Sequence, residues 1–100
     1  MTCPSDMAQK AYAKGRRNEH RSRKILEAAG YTVLRMAGSH GCWDLIGFSA
    51  TDVVLCQVKS RDWPGTLELE ELRSFACPPN CRRIIHRWKD RVPVPDVKEL

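Results

Sequence analysis

The sequence predicts an α/β domain: a mixed central β-sheet flanked by helices, with elements in the order α-β-β-β-α-β. Three observations carry that expectation. Residues 11–29 keep a helical period and stop at Gly30. Residues 31–36, 45–48 and 53–59 are short apolar runs, partly β-branched or aromatic, with turn residues between them. A second helical stretch, from Thr66 or Leu67 to Ala76, then precedes another apolar run at 82–88, centred on Ile84 and Ile85. One hundred residues leave room for one domain with a modest core. Residues 1–9 have no clear periodicity and are expected to form a flexible arm, leaving 10–100 as the domain.

In the first helix Ser22, Ile25, Leu26 and Ala29 form the apolar stripe, and Glu19 falls on the same face at helical spacing. An inward Glu among outward Lys and Arg either pairs with a buried Arg or faces a metal ion; the metal is the expectation. The first strand, 31–36, leads into the small-residue loop Ala37-Gly38-Ser39-His40-Gly41, which permits close backbone approach. The next two strands form a hairpin. If Ser49 to Asp52 make its loop, Phe48 pairs with Val53, and counting back puts Asp44 opposite Gln57. Gln57 and Lys59, two apart on a strand, point to one face. A carboxylate, an amide oxygen and an ammonium then meet on one patch, a cradle for a hard divalent cation beside a phosphate. Asp62-Trp63-Pro64-Gly65 is a turn. In the second helix Leu67, Leu69, Leu72, Phe75 and Ala76 are apolar, and Glu68, Glu70 and Glu71 lie early, where the helix dipole favours them. Pro93 and Pro95 restrict the remainder to a short edge strand or an extended tail.

The formal net charge is +5. Residues 10–24 hold seven Lys or Arg against one Glu, a local +6, so the rest of the chain sums to −1. Charge this concentrated favours a polyanionic partner over a merely solvated helix face. A second basic group, Arg82, Arg83, Arg87, Lys89 and Arg91, points the same way. No zinc-finger-like base-reading module is visible. The apolar runs are too short to span a membrane, and no signal peptide is apparent, so an intracellular site is expected. The five cysteines are an odd count. Cys77 and Cys81, with His86 nearby, could hold zinc or form a local disulfide, but free thiols are the expectation. Cys42 and Cys56 read as small core residues.

Four pieces in order resemble the PD-(D/E)xK nuclease superfamily, and within it the archaeal-type Holliday junction resolvases, a family also found in some viruses. They are Lys14-Gly15 followed by Glu19; Arg35-Met36-Ala37-Gly38-Ser39; Asp44; and Gln57-Val58-Lys59-Ser60. The resemblance covers roughly residues 14–76 and implies a restriction-endonuclease-like nuclease core. Two positions depart from the family pattern. Trp43 replaces the usual proline before Asp44. Gln57 replaces the usual Glu, which keeps an oxygen ligand but removes a negative charge and is expected to weaken ion affinity. On that basis Gln57→Glu is expected to keep or improve activity at low Mg²⁺.

The resemblance implies a Mg²⁺-dependent DNA phosphodiesterase, with Mn²⁺ able to substitute. Asp44, the Gln57 side-chain oxygen and the Val58 backbone carbonyl are the implied metal ligands, with Glu19 reaching the ion directly or through water. Lys59 is implied to orient the attacking water and offset charge at phosphorus, and Ser39 to contact the phosphate beside the cut. Lys14, Arg16, Arg17, Arg21 and Arg35 are the expected contacts to the DNA backbone, which position without reading bases. The implied partner is branched DNA, a four-way junction, and the implied assembly is a homodimer with Trp63, Trp88 and the final strand as candidate interface. The alternatives are another nuclease of the superfamily, acting on flaps, nicks or duplex ends, and a DNA-binding protein with a weakened site.

Overall fold

The computed structural model describes residues 6–36 and 42–100, with side chains from Gly15 onward. The chain runs α1 (Asp6–Ala28), β1 (Thr32–Arg35), β2 (Leu45–Phe48), β3 (Val53–Ser60), α2 (Thr66–Ser74), β4 (Cys81–Trp88) and β5 (Asp96–Glu99). One five-stranded sheet forms in the order β1-β2-β3-β4-β5. All neighbours are antiparallel except β3 and β4, which are parallel and joined by the α2 crossover. The mixed α/β sheet is as expected. Helix α1 starts ahead of the expected position 11. The short edge strand permitted after Pro93 and Pro95 is β5.

Each sheet face carries one helix. On the α1 face Leu26 packs with Val33, Leu45, Val54, Cys56 and Ile84. On the α2 face Leu72 packs with Trp43, Leu55 and Ile85. Val54 to Gln57 are therefore buried in sequence, because a central strand has core on both sides. Gly30 closes α1 at φ +101°, a backbone conformation that side chains with a Cβ resist. Gly47 is needed for space: a Cβ there would lie 2.8 Å from Val54 Cγ1 and 3.1 Å from Tyr31 Cβ.

The inward face of α1 is more polar than the apolar stripe suggested. Asn18, Ser22 and Leu26, spaced by four, are buried, whereas Ile25 and Ala29 are exposed. Asn18 Nδ2 donates to Ser60 Oγ at 2.8 Å. Trp88 Nε1 donates to Ser22 Oγ at 2.8 Å, and His86 Nδ1 lies 2.9 Å from the same oxygen. These buried bridges pin α1 over the carboxyl ends of β3 and β4, and so fix where its charged residues stand. Burial lowers the His86 pKa from 6.5 to about 4, so the ring is neutral in the fold.

Several surface expectations change. Trp88, a candidate interface residue, is 1 % exposed and belongs to the core. Trp63 is half-buried, with the Arg87 guanidinium 4.5 Å over its ring. In the second basic group, Arg82 pairs with Glu99 at 2.7 Å, Arg87 and Lys89 pair with Asp96 at 2.6 and 3.7 Å, and Arg83 donates to the Phe75 carbonyl. Strand β5 brings the acids that neutralise much of this group. Cys42, Cys56, Cys77 and Cys81 are free thiols. Burial, and next the hydrogen bond with Cys77, push the Cys81 thiol up to about 11. His86, on the α1 face with Ser22, is not part of a zinc site, and no group of three or more His, Cys, Asp or Glu placed to hold a metal occurs among the described residues.

Candidate active site

The site begins just ahead of β2. The hairpin register is the expected one: Phe48 pairs with Val53 and Leu45 with Cys56. The backbone N–H of Asp44 still donates to the Cys56 carbonyl at 3.0 Å, and beyond that point β2 no longer runs beside β3. The Val58 N–H takes the Asp44 carboxylate instead, Oδ2 accepting at 2.7 Å. A ladder residue turns its N–H and C=O to the same side, so the Val58 carbonyl faces the same gap. Burial raises the Asp44 pKa above the ordinary carboxylate value. The Val58 hydrogen bond opposes that rise. Glu19 adds to it, Lys59 opposes it, and Glu68 adds to it. Asp44 therefore senses two further carboxylates and one ammonium.

Gln57 is 6 % exposed and lies on the α2 side of β3. Its Nε2 donates to the Cys42 carbonyl at 3.3 Å and to Glu68 Oε1 at 2.7 Å. With both amide hydrogens used, the opposite atom, Oε1, is the acceptor. It is buried and takes no hydrogen bond. A buried oxygen without a donor is costly unless something electropositive completes it. Lys59 leaves β3 on the same side, and its Nζ lies 3.4 Å from Glu68 Oε2.

Glu68 is the residue that sequence reasoning missed. The helix dipole offers a local reason for an acid there, since Glu68 lies in the first turn of α2. The available signal was the connection: a short turn after β3 returns the start of α2 to the carboxyl end of that strand, where α/β folds gather ligands.

Glu19 stands on α1 with its side chain 20 % exposed and pairs with Arg35 of β1 at 2.9 Å. Its Arg partner is exposed rather than buried, and Glu19 also contributes to the field at Asp44. Beside it lies a groove of about 400 Å³ lined by Arg16, Arg17, Glu19, His20, Arg23, Arg35 and Leu45. Leu45, the neighbour of Asp44 in the chain, forms part of the groove wall, while Asp44, Gln57, Lys59 and Glu68 do not line it. Arg21 is placed elsewhere. Its guanidinium stacks 3.8 Å over the Trp88 ring and donates to the Val92 carbonyl at 2.6 Å, so it is engaged within the fold. Ser39 and the side chain of Lys14 lie outside the described residues. Trp43 fills the α2-side core and meets Phe75 edge to face.

The donors fit an oxygen-ligated divalent cation. Asp44 keeps Oδ1 beyond the oxygen that Val58 uses, Gln57 Oε1 is orphaned, and the Val58 carbonyl faces the same gap. All are hard oxygens of the type such ions take. The chemistry they permit is charge stabilisation at a phosphate lying along the basic groove.

No family model matches the chain, and no curated protein does. Among solved structures, the fold is similar to that of Hjc, a Holliday junction resolvase from the archaeal hyperthermophile Archaeoglobus fulgidus. The TM-score is 0.65 at 23 % identity, over 87 % of this chain and 71 % of that one. The chain therefore shares the fold of that resolvase, the fold its sequence motifs implied.

Proposed function

We propose that this chain is a Mg²⁺-dependent, structure-selective DNA endonuclease that resolves four-way junctions by paired phosphodiester hydrolysis. The observation that carries the reading is the gathering of Asp44, Gln57 and Lys59 at the splayed ends of β2 and β3, with an unsatisfied oxygen on Gln57. The fold likeness and the adjoining basic groove support it.

Asp44, Gln57 Oε1 and the Val58 carbonyl would hold the ion, with Mn²⁺ able to replace Mg²⁺. Glu19 would join them directly or through water after exchanging its pairing with Arg35. When bound, the ion supplies Lewis acidity toward the phosphate and the attacking water. Lys59 orients that water and offsets the charge that builds at phosphorus. Arg16 and Arg17, both exposed, hold the phosphate backbone along the groove, with Arg35 at its far wall. Ser39 keeps its proposed contact to the phosphate beside the cut. Two opposed cuts in a two-fold junction call for a homodimer with two such sites. Leu34, Met36 and Phe48 are exposed apolar side chains available to its interface, unlike Trp88.

The test is a synthetic four-way junction, labelled in turn on each strand, incubated with Mg²⁺ beside duplex of the same sequence. Paired cuts in strands of like polarity, with the duplex intact, are expected. Equal cutting of both substrates returns the chain to a general nuclease of this fold. Tight junction binding with no cleavage at any Mg²⁺ or Mn²⁺ concentration favours a DNA-binding protein with a weakened site. The Glu19–Arg35 pair is the observation on that side, since it already compensates one carboxylate.

A further inference from the structure

We infer that Glu68 is a further acidic group of this site, beside Asp44 and Glu19: it carries, from helix α2, the negative charge that strand position 57 lacks, and it positions both Gln57 and Lys59. The inference rests on the nuclease reading above.

The two oxygens of Glu68 are divided between two partners. Oε1 accepts from Gln57 Nε2 at 2.7 Å, and Oε2 faces Lys59 Nζ at 3.4 Å. The first contact fixes the amide, because a carboxylate can only accept and so must face the NH₂ end. Gln57 Oε1 is thereby turned away from Glu68 and left without a donor. The second contact restrains an otherwise mobile lysine on the same strand face. A glutamate at 57 would put two carboxylates in contact in a largely buried place. The strand carries an amide because the helix carries the charge. A charge swap between the two positions should accordingly be tolerated better than either single change, the signature of direct coupling. The expectation that Gln57→Glu keeps or improves activity at low Mg²⁺ concerns the metal-loaded site; in the metal-free protein the same change sets two carboxylates against each other.

The experiment compares wild type, Glu68→Gln, Gln57→Glu and the swap Gln57→Glu/Glu68→Gln. Three readouts are taken: melting temperature without metal, Mn²⁺ affinity by electron paramagnetic resonance, and junction cleavage. Glu68→Gln is expected to weaken Mn²⁺ binding on the order of 10- to 100-fold, as loss of an outer partner does at metal sites. Gln57→Glu is expected to lower the metal-free melting temperature, and the swap to restore both quantities to near wild type. If Glu68→Gln lowers only the melting temperature and leaves Mn²⁺ affinity unchanged, Glu68 is a structural tether and the inference is overturned. If Gln57→Glu melts at or above wild type without metal, the two positions do not repel and the inference is again overturned, while Mn²⁺ binding and cleavage by wild type leave the nuclease reading standing. If wild type neither binds Mn²⁺ nor cleaves, that reading falls and takes this one with it.

Discussion

Acid should loosen this fold before it reaches ordinary carboxylate range, through His86. The ring is buried on the α1 side of β4 and reaches Ser22 of α1. Trp88 Nε1 can only donate, so Ser22 Oγ accepts from it, and the arrangement that satisfies every group has the Ser22 hydroxyl donating to a neutral His86 Nδ1. Protonating Nδ1 sets two donors face to face. The folded pKa, about 4, lies below the ordinary 6.5, so the unfolded chain takes the proton more readily. Stability from this group is full above about pH 6.5 and is lost as pH falls from there toward 4. At about 1.4 kcal/mol per pH unit, the loss between pH 7 and pH 5 is about 2 kcal/mol. That is a sizeable share of the roughly 5–15 kcal/mol typical of a domain, and corresponds to about 10 °C in melting temperature. The assay is urea unfolding at pH 7, 6 and 5 for wild type and His86→Asn, whose Oδ1 keeps an acceptor near the Nδ1 position without titrating. The variant should be less stable throughout but nearly flat over this range. A flat wild-type profile, or an equal slope in the variant, would refute the network as described.

Three further outcomes follow from the geometry. Replacing Arg16 and Arg17 together should weaken junction binding and reduce the dependence of log K on log salt by about 2, since both are exposed on the groove. Arg21→Ala should leave that slope unchanged and instead destabilise the fold by about 1–2 kcal/mol, because its guanidinium is spent on Trp88 and Val92; a binding defect without a stability loss contradicts this placement. Gly47→Ala should cost about 1–3 kcal/mol in chemical denaturation, because its Cβ meets Val54 and Tyr31 at overpacked distances.

The hairpin was legible because its information is local. A polar four-residue loop separates two apolar runs, and period-two geometry then fixes which residues pair, so the register from Phe48–Val53 to Leu45–Cys56 followed from counting. The central strand was legible for a similar reason, as Val53-Val54-Leu55-Cys56 has no polar alternation. What escaped depends on partners far along the chain. Ser22 counts as part of an apolar stripe, and Asn18 has no evident inward role, until Ser60, His86 and Trp88, 42 to 66 residues away, arrive to bond them. Trp88 reads as surface until Arg21 covers it. The basic residues of β4 read as a polyanion surface until Asp96 and Glu99 come alongside on β5. Glu68 belongs with these: its role depends on the α2 crossover returning to β3, and the helix dipole offered a sufficient local explanation for an acid there.

The central claim is that the Asp44 and Lys59 side chains do chemistry on a bound junction rather than hold the fold or the DNA. The direct measurement is single-turnover cleavage of a saturating four-way junction with Mg²⁺ by wild type, Asp44→Asn and Lys59→Ala, with junction affinity measured on the same samples in Ca²⁺. Both variants should bind within a few-fold of wild type and cleave slower on the order of 10²–10³-fold or more. Cleavage near the wild-type rate by either folded variant would contradict the account.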